Sequence, residues 1–203
     1  MTTSAGMAPA DAFAERRANA PAEVAPAEQP PVPWAVRAQA LHATPFPADE
    51  GAAQLAALWS GGRLAGSFDA RSLDRLSGYL SFVRVAAQRQ LIAQDETGDF
   101  MLIVLDGAVL VERSPSPGKK ARLAEARAGD VLGEMALLDA GPRFSACTTR
   151  GPCVLAVLEM QALMRMVHDD APLALVLLAA LARRLSLRLR QVSARLSALL
   201  TDG

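Results

Sequence analysis

Beyond Tyr79 the chain alternates short apolar runs with turn residues. "FVRV", "RQLIAQ", "FMLIVL", "AVLVE", "ARLAEA", "SACTT" and "CVLAVL" are separated by "ETGD", "DG", "SPSPGKK", "AGD" and "RGP". This spacing predicts at least seven strands. Crossover helices do not separate them, which excludes a parallel sheet and points to an antiparallel sandwich or jelly-roll barrel over about residues 82–158. One segment breaks the β pattern. "GEMALLDAGPRFSA", residues 133–146, has helical spacing at Met135 and Leu138 for barely two turns, and "GPR" then turns the chain into the next strand.

Helical patterns flank the β region. "ADEGAAQLAALW", residues 48–59, carries acidic residues in its first turn and stops at "GG", 61 and 62. "DARSLDRLSGYL" puts Leu73, Leu76 and Leu80 on one face behind the N-cap Asp69. After Leu158, "EMQALMRMV" predicts one helix and "HDDAP" a break, with Pro172 suited to a first helical position and a long helix from Leu173 to Leu200. On that helix Leu175, Ala182, Leu189 and Leu196 recur at one heptad position, and Leu178, Leu185, Val192 and Leu199 at another. Such a stripe exceeds what a small barrel can cover, so a homodimer through this helix is expected; packing only on its own barrel is the alternative.

Residues 1–47 are rich in alanine and proline, as in "APAEVAPAEQPPVPWAV", and read as a disordered arm. Trp34 is either part of that tail or an anchor for a partner or for the protein's own surface. The predicted class is α+β: a domain over 48–203, with an antiparallel β jelly-roll barrel, short N-terminal helices, an internal short helix and C-terminal helices over about 159–200.

With 203 residues, 51% of them hydrophobic, the chain can bury one core. Lysine plus arginine and aspartate plus glutamate balance at 21 each, so there is no global field toward nucleic acid or an anionic membrane. No apolar run reaches membrane-span length and no signal-peptide pattern opens the chain, so no membrane span and a cytoplasmic location are expected. Cys147 and Cys153 are too few for a disulfide scaffold and read as buried thiols. His42 and His168 lack zinc spacing, and neither a nucleophilic triad nor a histidine cluster on the strands can be assembled. The inventory argues against an enzyme.

The 133–146 segment carries the candidate chemistry. A helix starting behind Gly133 offers main-chain N–H groups to an anion, and glycine lets the backbone come close. Arg143 suits a phosphate, since its planar fork matches oxyanion geometry. Glu134 would repel a phosphate but is a natural acceptor for a sugar hydroxyl. The pair fits a nucleotide; a simple salt bridge between the two is the plain alternative.

"GEMALLDAGPRFSA" resembles the phosphate-binding cassette of the cyclic nucleotide-binding domain family. "QDETGDFMLIVLDGAVLVE" is similar to that family's first hairpin, "AGDVLGE" to the strand entering the cassette, and "ALARRLSLRLRQVSARL" to the long helix of the catabolite activator protein group. The resemblance implies that Glu134 binds the ribose 2'-hydroxyl and Arg143 the cyclic phosphate. It also implies that main-chain N–H groups of Ala136 and Phe144 complete the cradle, with Gly133, Met135 and Ser145 lining it. Two positions depart from the family pattern. Phe144 follows the arginine where a small residue is usual, and either stacks on the base or fills the barrel wall. Arg188 and Leu189 stand where the activator group carries hydroxylated base contacts; Arg188 covers the purine or points to water, and Arg184 and Arg188 are the candidate base lid.

The expected function is therefore a stand-alone receptor for a cyclic nucleotide, with cAMP favoured and cGMP open. On this view it regulates a separate, unknown effector protein by moving its C-terminal helices. The sequence stops soon after the long helix, so direct DNA binding is not expected. The alternative is a structural or interaction scaffold whose site is empty or holds another nucleotide such as a cyclic dinucleotide.

Overall fold

The structure, a computed structural model, describes residues 30–61, 67–116 and 118–201. In chain order these form α1 (Trp34–Leu41), β1 (Thr44–Pro45), α2 (Ala48–Gly61), α3 (Ala70–Ser77), β2 (Ser81–Val85), β3 (Gln90–Ile92), β4 (Phe100–Asp106) and β5 (Ala108–Ser116). They continue with β6 (Lys119–Arg127), β7 (Val131–Leu132), α4 (Glu134–Asp139), β8 (Ala146–Thr149), β9 (Cys153–Glu159), α5 (Met160–Asp169) and α6 (Ala171–Thr201).

The strands make two antiparallel sheets, one ordered β1-β2-β9-β4-β7 and the other β3-β8-β5-β6. The architecture is the expected jelly-roll type. It is a sandwich rather than a closed barrel, because no ladder among the described strands joins the two sheets. The most apolar runs, β4 and β9, pair at the centre of the first sheet, with Met101 opposite Leu158 and Ile103 opposite Ala156. Both faces of these strands are buried, which is why their sequences do not alternate. Met101, Ile103, Leu105, Val154, Ala156 and Leu158 face a core shared with α2, α3, α5 and α6. Phe100, Leu102, Val104, Cys153, Leu155 and Val157 face the second sheet.

α3 begins where the sequence places it: the Asp69 carboxylate accepts the Ser72 N–H at 2.7 Å, which holds that carboxyl below its ordinary pKa. Its Leu73 and Leu76 are buried, while Leu80 lies past the helix end at Ser77. α6 divides in two. Leu173, Ala174, Leu177, Ala180 and Leu181 pack on the sheet, whereas the chain from Ser186 to Leu200 is exposed throughout. Leu175, Leu189, Val192, Leu196 and Leu199 of the expected seam lie on the exposed side.

The expected disordered arm differs from the structure at its C-terminal end; residues 1–29 lie outside the described residues. Trp34 starts a helix that composition alone does not suggest. It is buried, with its ring centroid 5.1 Å from that of Phe100, edge to face. One large aromatic buries enough area to fasten a short alanine-rich segment.

Gly51 lies inside α2, where alanine is ordinarily better by up to about 1 kcal/mol. A Cβ there would overlap the buried ring of Phe82. Overpacking outweighs propensity, so Gly51→Ala is expected to lower stability by about 1–3 kcal/mol in a urea titration; a gain in stability would contradict the packing described.

Candidate functional site

Gly133 is the hinge of the site. It joins β7 to α4 at φ 77°, in the left-handed region that a side chain disfavours. A Cβ on it would also stand 2.6 Å from Nη1 of Arg143. The backbone turn therefore sets Glu134 at the first position of α4 and lets the arginine approach from the far end of the same segment.

Both charged residues are buried, Glu134 at 3% and Arg143 at 2% exposure. Arg143 Nη1 donates to the Gly133 carbonyl at 2.8 Å and Nη2 to the Phe100 carbonyl at 2.7 Å. The guanidinium carbon lies 4.6 Å from the centre of the Phe100 ring. Nε has no partner. Burial pulls the pKa of this arginine below its ordinary value, against the opposing pull of Glu96 and Asp99. Glu134 does not bridge to Arg143, so the plain salt-bridge alternative does not describe this site. Instead its Oε1 accepts from Arg188 Nη1 at 3.3 Å.

Arg188 thus reaches back from α6 to the acidic end of the cassette instead of pointing to water. One turn earlier, Arg184 binds Asp130 Oδ1 at 2.7 Å in the turn before β7. The two candidate lid residues are brought together on one side of the cassette. Phe144 does not fill the barrel wall: it is 52% exposed, with the Arg113 guanidinium 4.3 Å over its ring and Arg113 Nη1 donating to its carbonyl. Ala136 is buried on the inner side of α4 beside Leu137. The helical spacing of Met135 and Leu138 marks the outer side, since both are about two-fifths exposed. Ser145 is partly buried and leads into β8.

Sequence reasoning missed Phe100, Glu96 and Asp99 as partners of the guanidinium, and the influence of the Glu134 charge on Cys147. The only sequence signal for Phe100 was its position opening a strand. Among the described residues no group of His, Cys, Asp and Glu could hold a metal ion, and no helix is long and apolar enough to cross a membrane.

Cys147 is buried, and its burial, with the Glu134 charge beside it, pushes the thiol up to about 12. Above pH 9 an unfolded cysteine releases its proton while this one keeps it, so the native state binds more protons and rising pH favours unfolding. The stability lost in that window is roughly 1.4 kcal/mol per pH unit for one group. Cys147→Val is expected to lose less stability than the parent between pH 8 and pH 10.5; parallel loss in urea titrations of both proteins would contradict this environment.

Residues 82–170 match the family model described as the cyclic nucleotide-binding domain. The chain is 32% identical over 95 residues to a CRP-like cAMP-activated global transcriptional regulator of Mycobacterium tuberculosis, covering 47% of this chain and 42% of that protein. It is 31% identical over 122 residues to the cAMP-activated global transcriptional regulator CRP of Haemophilus influenzae, covering 60% and 54%. The chain therefore spans about half the length of the curated relatives it matches. Among solved structures, a cyclic nucleotide-binding domain from Methylobacillus flagellatus superposes with a TM-score of 0.69 at 25% identity, over 75% of this chain and 86% of the other. The catabolite activator protein of Thermus thermophilus shares the fold, with a TM-score of 0.60 at 24% identity over 66% and 61%. Over residues 82–170 the chain is therefore similar to the cyclic nucleotide-binding domain family.

Proposed function

We propose that the chain is a cyclic-nucleotide receptor, with cAMP as its ligand, that acts on a separate partner protein through α6. The observation that carries this reading is the burial of an acceptor, Glu134, and a guanidinium, Arg143, at the two ends of one glycine-to-proline segment. cAMP is favoured because both curated relatives are described as cAMP-activated.

Arg143 has five N–H donors, of which two serve main-chain carbonyls and Nε serves nothing. The remaining donors take the cyclic phosphate, with the main-chain N–H groups of Ala136 and Phe144 beside them. Glu134 accepts the ribose 2'-hydroxyl in place of the Arg188 guanidinium, while Gly133, Met135 and Ser145 line the rest. Arg184 and Arg188 then close over the base or release α6 from the cassette. Either movement requires that the ligand bind the two helix positions with different affinity. The exposed stripe of α6 packs on its copy in a second chain, since its apolar residues include Leu189 at 67% and Leu199 at 75% exposure.

Titration calorimetry of nucleotide-free protein with cAMP, cGMP and cyclic di-GMP tests the ligand. Micromolar or tighter binding of cAMP is expected, weakened by about 2–4 kcal/mol in Arg143→Ala and by less in Glu134→Ala. Unchanged affinity in a folded Arg143→Ala protein overturns the binding mode. Binding of cyclic di-GMP alone would favour the scaffold alternative, a ligand class named for the fold neighbour described as the c-di-GMP responsive regulator CLP of Xanthomonas campestris. For the dimer, Leu189→Arg with Leu196→Arg is expected to sediment as a monomer where the parent sediments as a dimer; identical masses would remove α6 as the interface.

A further inference from the structure

We propose that Trp34 and Arg37 of α1 are positioning residues for Arg143, acting through the loop between β3 and β4. The affinity consequence rests on the receptor reading above; the positioning itself does not.

Three sets of contacts lead from α1 to the guanidinium. The first is ionic. Arg37 Nη2 donates to Glu96 Oε2, and both side chains are largely buried. The other carboxylate oxygen of Glu96 accepts the Ala93 N–H at 3.0 Å, so the same side chain closes the loop on itself. The Glu96 carbonyl accepts the Arg143 N–H and the Asp95 N–H donates to the Arg143 carbonyl, each at 2.8 Å. Arg143 is therefore held by its main chain to Glu96, which Arg37 binds, and to the adjacent Asp95. The second set is aromatic: Trp34 packs edge-on against Phe100, and Phe100 supplies both the ring and the carbonyl that receive the guanidinium. The third is main-chain. The Val32 N–H donates to the Thr97 carbonyl at 2.8 Å, and Val32 forms a parallel bridge with Gly98. Gly98 is where the loop runs against the arginine, since a Cβ there would stand 2.6 Å from Arg143 Nη2.

Glu96, Gly98 and Phe100, which lie against Arg143, are thus each tied to residues 32–37. α1 lies outside residues 82–170, the part of the chain that matches the family model. Displacing a charged fork by a fraction of an ångström costs bidentate geometry while leaving its charge in place, so the effect falls on ligand affinity beyond any effect on folding.

The experiment compares Arg37→Ala, Arg37→Lys and the swap Arg37→Glu with Glu96→Arg in the full chain. Leu76→Ala, on α3 in the helix-side core, serves as a stability control. Two readouts are taken: cAMP affinity by calorimetry, and the Arg143 Nε–Hε resonance of ligand-free protein, assigned by its loss in Arg143→Lys. Arg37→Ala is expected to weaken cAMP binding on the order of tenfold and to shift or broaden that resonance. Arg37→Lys or the charge swap should recover part of both, and Leu76→Ala should move neither, whatever it does to the melting temperature. Unchanged affinity and resonance in Arg37→Ala overturn the proposal, as does weaker binding with the resonance unmoved. If the parent binds no cyclic nucleotide yet the resonance moves in Arg37→Ala and not in Leu76→Ala, the positioning stands and the receptor reading falls.

Discussion

A guanidinium at 2% exposure is tolerated only where its donors and its charge are met, because an unpaired buried cation costs several kcal/mol. Arg143 meets its charge with Glu96, Asp99 and the face of Phe100 and two of its donors with carbonyls, while Nε is left without a protein partner. Much of the local structure follows from this one burial. The carbonyls of Phe100 in β4 and of Gly133 in the turn from β7 to α4 must both come within hydrogen-bond reach, and the positions flanking the cation must lack side chains. Gly98 and Gly133 stand at those positions. The cassette is therefore less a loop laid over a sandwich than a collar fitted around an arginine.

α6 is attached to the collar at its opposite, acidic side. The first half of that helix is fixed by burial in the helix-side core, and beyond it Arg184 pairs with Asp130 and Arg188 with Glu134. A helix rigid at one end and held by two ion pairs further along can change direction without disturbing the core. Asp170 strengthens the fixed end, since it accepts the Leu173 N–H and binds Arg75 of α3 at 2.7 Å.

What the sequence made legible and what it hid divide on physical lines. The Gly-Glu and Pro-Arg ends of the cassette could be read because a left-handed turn, a helix start and a proline turn are local demands on residue type. β4 and β9 could be read because burial on both faces demands continuous apolar runs. α1 was hidden, since its alanine and proline content resembles a tail and its attachment rests on Trp34 and Arg37 meeting residues some sixty positions away. The inward turn of Arg143 was hidden as well: residue type names a phosphate-binding fork, but only the packing of Phe100 beneath it decides which way the fork points. The two-sheet arrangement in place of a closed barrel depends on which edges pair, and periodicity within a strand carries no information about that.

The ion pair at Glu134 bears on how occupancy of the proposed site would reach α6. Arg188 is half exposed and Glu134 is not, so the pair is asymmetric. An exposed pair contributes at most about 1 kcal/mol, but withdrawing Arg188 alone would leave a buried carboxylate unpaired, at a cost of about 3–5 kcal/mol. Spontaneous release of the helix is therefore disfavoured. A ribose hydroxyl arriving at the same carboxylate supplies a replacement donor and removes most of that cost. Micromolar affinity corresponds to about 8 kcal/mol of binding free energy, more than the exchange requires. In the proposed receptor the helix is thus held by the need to keep Glu134 paired, and a sugar hydroxyl is the chemistry that lifts the restraint.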